Sequence, residues 1–217
     1  SADGQVHSSV SGSFNTALGY NALGTEDTGN RSTAIGYGAL SLQDYNGDAY
    51  NTACGMWAGK VVSTGRSNSF LGYLAGGAVT AGSSNVAVGY EALGTEDDGS
   101  TAVAVGYQAL KTQDGGDTFN TAVGYRAGYL VQTGTFNTLI GGEAGDSLTT
   151  GGYNTVLGAE ALQTEDAGSF NTAIGSQALK VQDGGTLNAA LGRQAGVAVT
   201  TGSNNTLIGA GAGDDVT

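Results

Sequence analysis

The chain of 217 residues contains no proline and only one residue each of cysteine, histidine, methionine and tryptophan. A lone cysteine closes no internal disulfide, so cysteine usage leaves the redox compartment open. With His7 alone near the N-terminus there is no Ser/His/Asp set and no Cys/His metal cluster. Basic residues number 7 against 19 acidic ones, and the formal net charge of −12 repels phosphate backbones and anionic membrane surfaces. Nucleic acid and lipid are therefore poor partners. Apolar runs are only a few residues long, and the opening SADGQVHSSV has neither a basic n-region nor an apolar h-region. The expectation is a chain that neither spans nor targets a membrane.

What the chain has in quantity is glycine, 40 residues, beside a 39% hydrophobic content dominated by alanine and small aliphatics. Glycine without proline stays below the roughly 25% at which low-complexity disorder becomes the default. An ordered chain with a thin core is expected.

Order has a period. A pentapeptide of the form NTAxG begins at Asn15, Ser32, Asn51, Asn68, Asn85, Ala102, Asn120, Asn137, Asn154, Asn171, Asn188 and Asn205. Nine of the eleven spacings are 17; the others are 19 after Ser32 and 18 after Ala102, with the extra residues in the loop-forming segments YNGDAY and DGGDTF. The fourth position is always apolar, from Leu18 and Ile35 through Cys54 to Ile208, and is always followed by glycine. That combination suits a short strand entering a bend, and the column reads as the core. An alanine recurs three residues past each of these glycines, from Ala22 to Ala212, and reads as the start of a second extended segment before a turn. So small a unit cannot bury its own apolar face and must stack, one rung per ~4.8 Å. The fold expected is all-β, a parallel β-solenoid of about twelve 17-residue coils.

A longer period overlies the short one. The residue after the recurring alanine runs Leu23, Leu40, Gly59, Gly76; then Leu93, Leu110, Gly128, Gly145; then Leu162, Leu179, Gly196, Gly213. Residues 1–14 read as a partial N-terminal coil, and 15–84, 85–153 and 154–217 as three four-coil blocks of one continuous solenoid.

The strings NTALGYNAL, STAIGYGAL and NTAVGYRAG resemble the β-roll heads of YadA-like trimeric autotransporter adhesins, and more closely the NTAIGYxAL arrays of bacteriophage tail-fibre proteins. The likeness covers residues 15–213, with a longer coil than the autotransporter heads use. It implies a left-handed roll packed as a homotrimer, an extracellular place on a virion tail fibre or a bacterial surface, attachment to a host receptor or glycan, and no catalysis. Within the strand, Ala17 and Gly19 alternate with Leu18, and this small-residue column gives an independent expectation of a flat face that takes a partner. The competing reading is a secreted monomeric solenoid that binds Ca2+, glycan or ice.

Three sets of side chains are candidates for chemistry. The first coil of each block carries TED and the second QD, so a 17-residue step stacks Gln43 over Glu26 and Asp44 over Asp27, and repeats this for Asp97 with Asp114 and Asp166 with Asp183. Stacked like charges call for splaying, solvent or a cation. Oxygen ligands suit Ca2+, with Asp48 and Asp117 of the lengthened loops as further ligands; a solvated acidic edge is the plainer reading. A tyrosine column follows the motif glycine, including Tyr73, Tyr90, Tyr107 and Tyr125 on consecutive coils, with Met56 interrupting it before them. Stacked rings brace a solenoid or offer a glycan surface. The threonine column (Thr16, Thr33, Thr52 and onward) invites ice binding, but Ser69, Val86, Val103 and Ala189 break it. Carboxylate pairs such as Asp27 and Asp44 invite a glycosidase reading, against which their threefold recurrence argues.

Overall fold

The computed structural model describes residues 12–26 and 28–214. His7 and Asp27 lie outside the described residues, as does most of the partial coil expected at 1–14. Twelve three-residue strands succeed one another: β1 (Thr16–Leu18), β2 (Thr33–Ile35), β3 (Thr52–Cys54), β4 (Ser69–Leu71), β5 (Val86–Val88), β6 (Val103–Val105), β7 (Thr121–Val123), β8 (Thr138–Ile140), β9 (Thr155–Leu157), β10 (Thr172–Ile174), β11 (Ala189–Leu191) and β12 (Thr206–Ile208). They form one parallel sheet in sequence order. Equivalent residues pair throughout, as Val86 with Val103 and Thr138 with Thr155. The chain is a parallel β-solenoid.

Each coil holds one strand rather than two. The alanine expected to start a second strand sits in a turn, its N–H bonded to the motif glycine carbonyl of its own coil, as Ala92 to Gly89 at 3.4 Å. The residues on either side of it have positive φ, as Glu91 at 50° and Leu93 at 53°. Two such corners flanking one residue curl the chain too tightly for a strand. The motif glycine explains where each strand stops. Its φ lies between 124° and 143°, and at Gly89 a Cβ would lie 2.3 Å from the carbonyl oxygen of Gly106 on the next rung. Only glycine lets rungs stack at that bend.

The strand faces are the reverse of the expectation. The fourth-position column points outward, with Leu71 51% and Leu157 47% exposed, while the third position points in: Ala34, Ala53, Phe70, Ala87, Leu139 and Val156 are buried. Nor does the small-residue column form an outer face; its alanines line the interior and its glycines make the bend. Alanine suffices inside because the corner leucines reach the same space. Leu23, Leu40, Leu93, Leu110, Leu162 and Leu179 are buried in the first two coils of each block. In the fourth coil the strand supplies the bulk instead, as Phe70, Leu139 and Leu207, and the corners of the last two coils are glycine. A Cβ on Gly76 would meet three ring atoms of Phe70 at 2.4 to 2.6 Å. The four-coil period is a packing period in which corner leucines and large strand residues take turns filling one narrow interior.

The interior is also polar on a schedule. Asn51, Asn68 and Asn85 are buried. The Asn51 Oδ1 accepts the Asn68 N–H at 2.9 Å, and the Asn51 Nδ2 donates to the Gly65 carbonyl, 14 residues along the same coil, at 2.7 Å. Among the described residues nine asparagines make that second bond, each clipping its coil closed over the same 14-residue span. The two motif starts that are not asparagine, Ser32 and Ala102, open the two coils longer than 17 residues. A bond across a fixed span cannot close a coil with extra residues in it.

Candidate functional surface

The glutamates of the TED segments are not on an acidic edge. Glu26, Glu96 and Glu165 point inward and are buried, at the coil position that Val62, Val79, Val131 and Leu148 hold in the other coils. The stacking of Gln43 over Glu26 is present as a hydrogen bond from Gln43 Nε2 to Glu26 Oε2 at 2.6 Å, repeated by Gln113 to Glu96 at 2.9 Å and Gln182 to Glu165 at 2.8 Å. The other carboxylate oxygen accepts a backbone N–H three residues on, from Gly29, Gly99 and Gly168. Burial pushes the Glu96 carboxyl above its ordinary range; the bonds from Gln113 and Gly99 oppose the shift, and Asp114 and Asp98 add to it.

The aspartates of the acidic turns take other places. Asp44, Asp97, Asp114, Asp166 and Asp183 are exposed on the turns. Asp97 accepts the Thr80 hydroxyl and Asp166 that of Thr149, bonds that tie one block to the next. Asp117 accepts the Ser100 N–H at 3.1 Å. Asp48 pairs with Arg31 at 3.0 Å and accepts the Tyr50 hydroxyl at 3.0 Å. Among the described residues no three His, Cys, Asp or Glu side chains gather in a group suited to a metal ion.

The aromatic column is longer than it reads. Trp57, one residue past Met56, turns its indole into the space beside Gly38, where a Cβ would lie 2.7 Å from Trp57 Cδ1. A continuous line of ring contacts therefore runs from Tyr20 through Tyr37, Trp57, Tyr73, Tyr90 and Tyr107 to Tyr125, with centroids 5.1 to 6.1 Å apart; Trp57 meets Tyr37 edge-on at 69° and Tyr73 tilted at 49°, so the face-to-face stacks are Tyr20 with Tyr37 and Tyr73 through Tyr125. Tyr90 and Tyr107 lie only 9° from parallel. A second stack, Phe119, Phe136, Tyr153 and Phe170, runs on the other side of the strands at 4.9 to 5.0 Å. Earlier in that second column Arg31 sits between rings, its guanidinium 4.9 Å from Phe14 and 5.8 Å from Tyr50.

This packing limits what the rings can bind. In an uninterrupted stack each interior ring has both faces against its neighbours and shows solvent only its edge. Tyr90 and Tyr107, stacked on both sides, thus show solvent only their edges, whereas Tyr73 stacks on Tyr90 alone and meets Trp57 at a tilt of 49°. Between the two aromatic columns lies the outward aliphatic column, Leu18 through Ile208, joined by Cys54 and by the threonines and valines of the strands. The outward side of the sheet presents one apolar column over all twelve rungs beside a largely threonine one, with the tyrosine column along the first seven rungs and the phenylalanine column along four later ones. Sequence reasoning missed this apolar column by assigning its residues to the core.

Beside the tyrosine column runs a polar one at the left-handed corner. Gln108 donates to Glu91 at 2.8 Å, Gln177 to Glu160 at 3.0 Å and Gln194 to Gln177 at 2.9 Å. Lys111 pairs with Glu91 at 2.7 Å and holds its carboxyl below the ordinary range; Lys180 does the same for Glu160. Comparison with known proteins finds no family model, no curated protein and no solved structure that matches the chain.

Proposed function

We propose that the chain is a rigid, non-catalytic segment of an extracellular fibre or adhesin, a left-handed roll that assembles as a homotrimer and contributes to attachment to a host surface or receptor. One observation carries this reading: the outward fourth-position column is apolar on every rung of one continuous parallel sheet. A contiguous apolar face of that length is the surface a soluble monomer avoids and an oligomer covers. The motif strings that resemble tail-fibre and YadA-like repeats supply the trimer and the attachment role. The absence of any singular constellation in a threefold-repeated chain favours a structural task over a catalytic one.

Light scattering on the purified chain tests the assembly. A mass of three chains is expected, and a mass of one chain at micromolar concentration overturns it. Replacing Leu71 and Leu157 with lysine is expected to yield folded monomers, because both side chains point away from the core.

A further inference from the structure

Fourteen asparagines lie along the chain, and ten of them open coils. The side chain of Asn68 shows how those ten are held: its Oδ1 accepts the Asn85 N–H at 2.9 Å and its Nδ2 donates to the Gly82 carbonyl at 2.9 Å. The N–H that follows it, on Ser69, is bonded to the Asn85 carbonyl at 2.9 Å. Asn46 has neither restraint. It is exposed on the turn of the lengthened coil that opens on Ser32, and among the described residues its side chain makes no hydrogen bond and the Gly47 N–H that follows it donates to nothing.

Asn46 is also the one asparagine followed by glycine. Glycine has no Cβ to keep its own nitrogen away from the side-chain carbon of the residue before it. The turn is anchored just past this pair, where the Gly47 carbonyl accepts the Asn30 N–H at 2.8 Å and the Ala49 N–H donates to the Asn30 carbonyl at 3.0 Å. Related pairs elsewhere are blocked. In Asp98–Gly99 and Asp183–Gly184 the glycine N–H is taken by a buried carboxylate, Gly99 by Glu96 at 2.8 Å and Gly184 by Glu165 at 2.7 Å. Asp114–Gly115 offers a carboxyl in place of an amide, with no ammonia to lose.

We propose that Asn46 is a site of spontaneous covalent modification, at which the folded chain converts its own amide to a carboxyl. The Gly47 nitrogen attacks Asn46 Cγ and an N–C bond forms. The Cγ–Nδ2 bond breaks, the Gly47 N–H proton leaves with the amide nitrogen as ammonia, and a five-membered succinimide remains. One water then opens the ring. Cleavage at Cγ gives aspartate, and cleavage at the main-chain carbonyl gives isoaspartate, whose backbone carries one more methylene. No electrons are exchanged, and water is the one co-reactant. The scaffold accommodates the longer product, because this coil opens on Ser32 and has no asparagine clip to gauge its length. The modification adds a negative charge between Asp44 and Asp48 in the chain and requires neither the assembly nor the attachment role proposed above.

Incubation of the folded chain in warm, mildly alkaline buffer tests this, read by peptide mapping with mass spectrometry and by enzymatic methylation of isoaspartate. Asn46 is expected to yield a mixture of aspartate and isoaspartate, at least about tenfold faster than any coil-opening asparagine, a barrier difference of ~1.4 kcal/mol. Asn46→Ser should remove the isoaspartate signal and leave the melting temperature unchanged. Intact Asn46 after prolonged incubation, or equal conversion at a coil-opening asparagine, overturns the proposal. Conversion of Asn46 in denaturant alone overturns it as well, since the folded turn would then be closed to the reaction.

Discussion

Gln113 Nε2 donates to Glu96 Oε2 across 2.9 Å, and both side chains are fully buried. Later rungs hold valine and leucine at the same coil position, at Val131 and Leu148. Replacing one partner and replacing both should therefore differ in sign. Gln113→Val leaves a buried carboxylate short of a donor and is expected to cost about 3 kcal/mol. Glu96→Val with Gln113→Val extends the aliphatic interior and should leave stability equal or higher at neutral pH. Chemical denaturation of the three proteins decides it.

The same carboxyl gives a pH dependence with a definite sign. Its folded-state pKa is raised, so its contribution is fully present below the ordinary glutamate range and is lost as pH rises through the folded value. Glu91 and Glu160, held low by Lys111 and Lys180, work the other way, contributing above the ordinary range and fading as pH falls. Thermal melts from pH 7 down to pH 4 should show the Glu96→Val/Gln113→Val protein gaining less on acidification than the parent. An identical slope in both would mean that Glu96 titrates as it does in water.

Val156 and Leu157 are neighbours on β9 with opposite fates. Val156→Ser removes buried methyl groups and buries a hydroxyl, for an expected loss of about 2 kcal/mol. Leu157→Ser exposes nothing new in a single chain and should change its unfolding free energy by less than about 1 kcal/mol. If the proposed assembly forms, Leu157→Ser instead weakens the oligomer in sedimentation experiments. Equal losses from the two single-chain proteins would contradict the assignment of faces.

Phe70 and the space above Gly76 are two ways of filling one volume. Gly76→Leu, which copies the corner of the first two coils, should cost more than about 3 kcal/mol against the Phe70 ring. Adding Phe70→Ala, which copies their strand, should restore at least about 2 kcal/mol of that loss. A double-mutant cycle read by denaturation measures the coupling.

Thr101 occupies a left-handed corner at φ 67°, costly for a β-branched residue. The equivalent corner at Asn204 has φ 61° with a residue that tolerates it. Thr101→Asn is expected to stabilise by about 1 kcal/mol, visible as a higher melting temperature.

The period, the parallel register and the loops that absorb extra residues were all legible, because each rests on spacing alone. So was the stacking of Gln43 over Glu26. Which strand face turns inward was not, since both alternating columns are apolar and the larger one looked like the core. The discriminating signal is variation. The inward column varies from alanine to Phe70, Leu139 and Leu207, and these three largest members stand only where the corner is glycine, as packing partners must, while the outward column stays uniformly medium-sized. Valine at the coil position of Glu26 likewise marks that position as interior. Trp57 escaped notice because its ring enters the stack from one residue further along, through room that Gly38 leaves.

The asparagine clip has a consequence for where the coil can be lengthened. A bond of fixed span acts as a gauge of coil length, passing coils of one size and rejecting all others. A longer loop is therefore compatible with a coil that lacks the gauge, and the two lengthened coils are those that open on Ser32 and Ala102. New loops should be graftable there with little penalty, whereas the same insertion after Asn68 or Asn154 would meet a closed clip. The scaffold separates turns that are free to diversify from turns that are not, and the difference is written in a single side chain at the start of each coil.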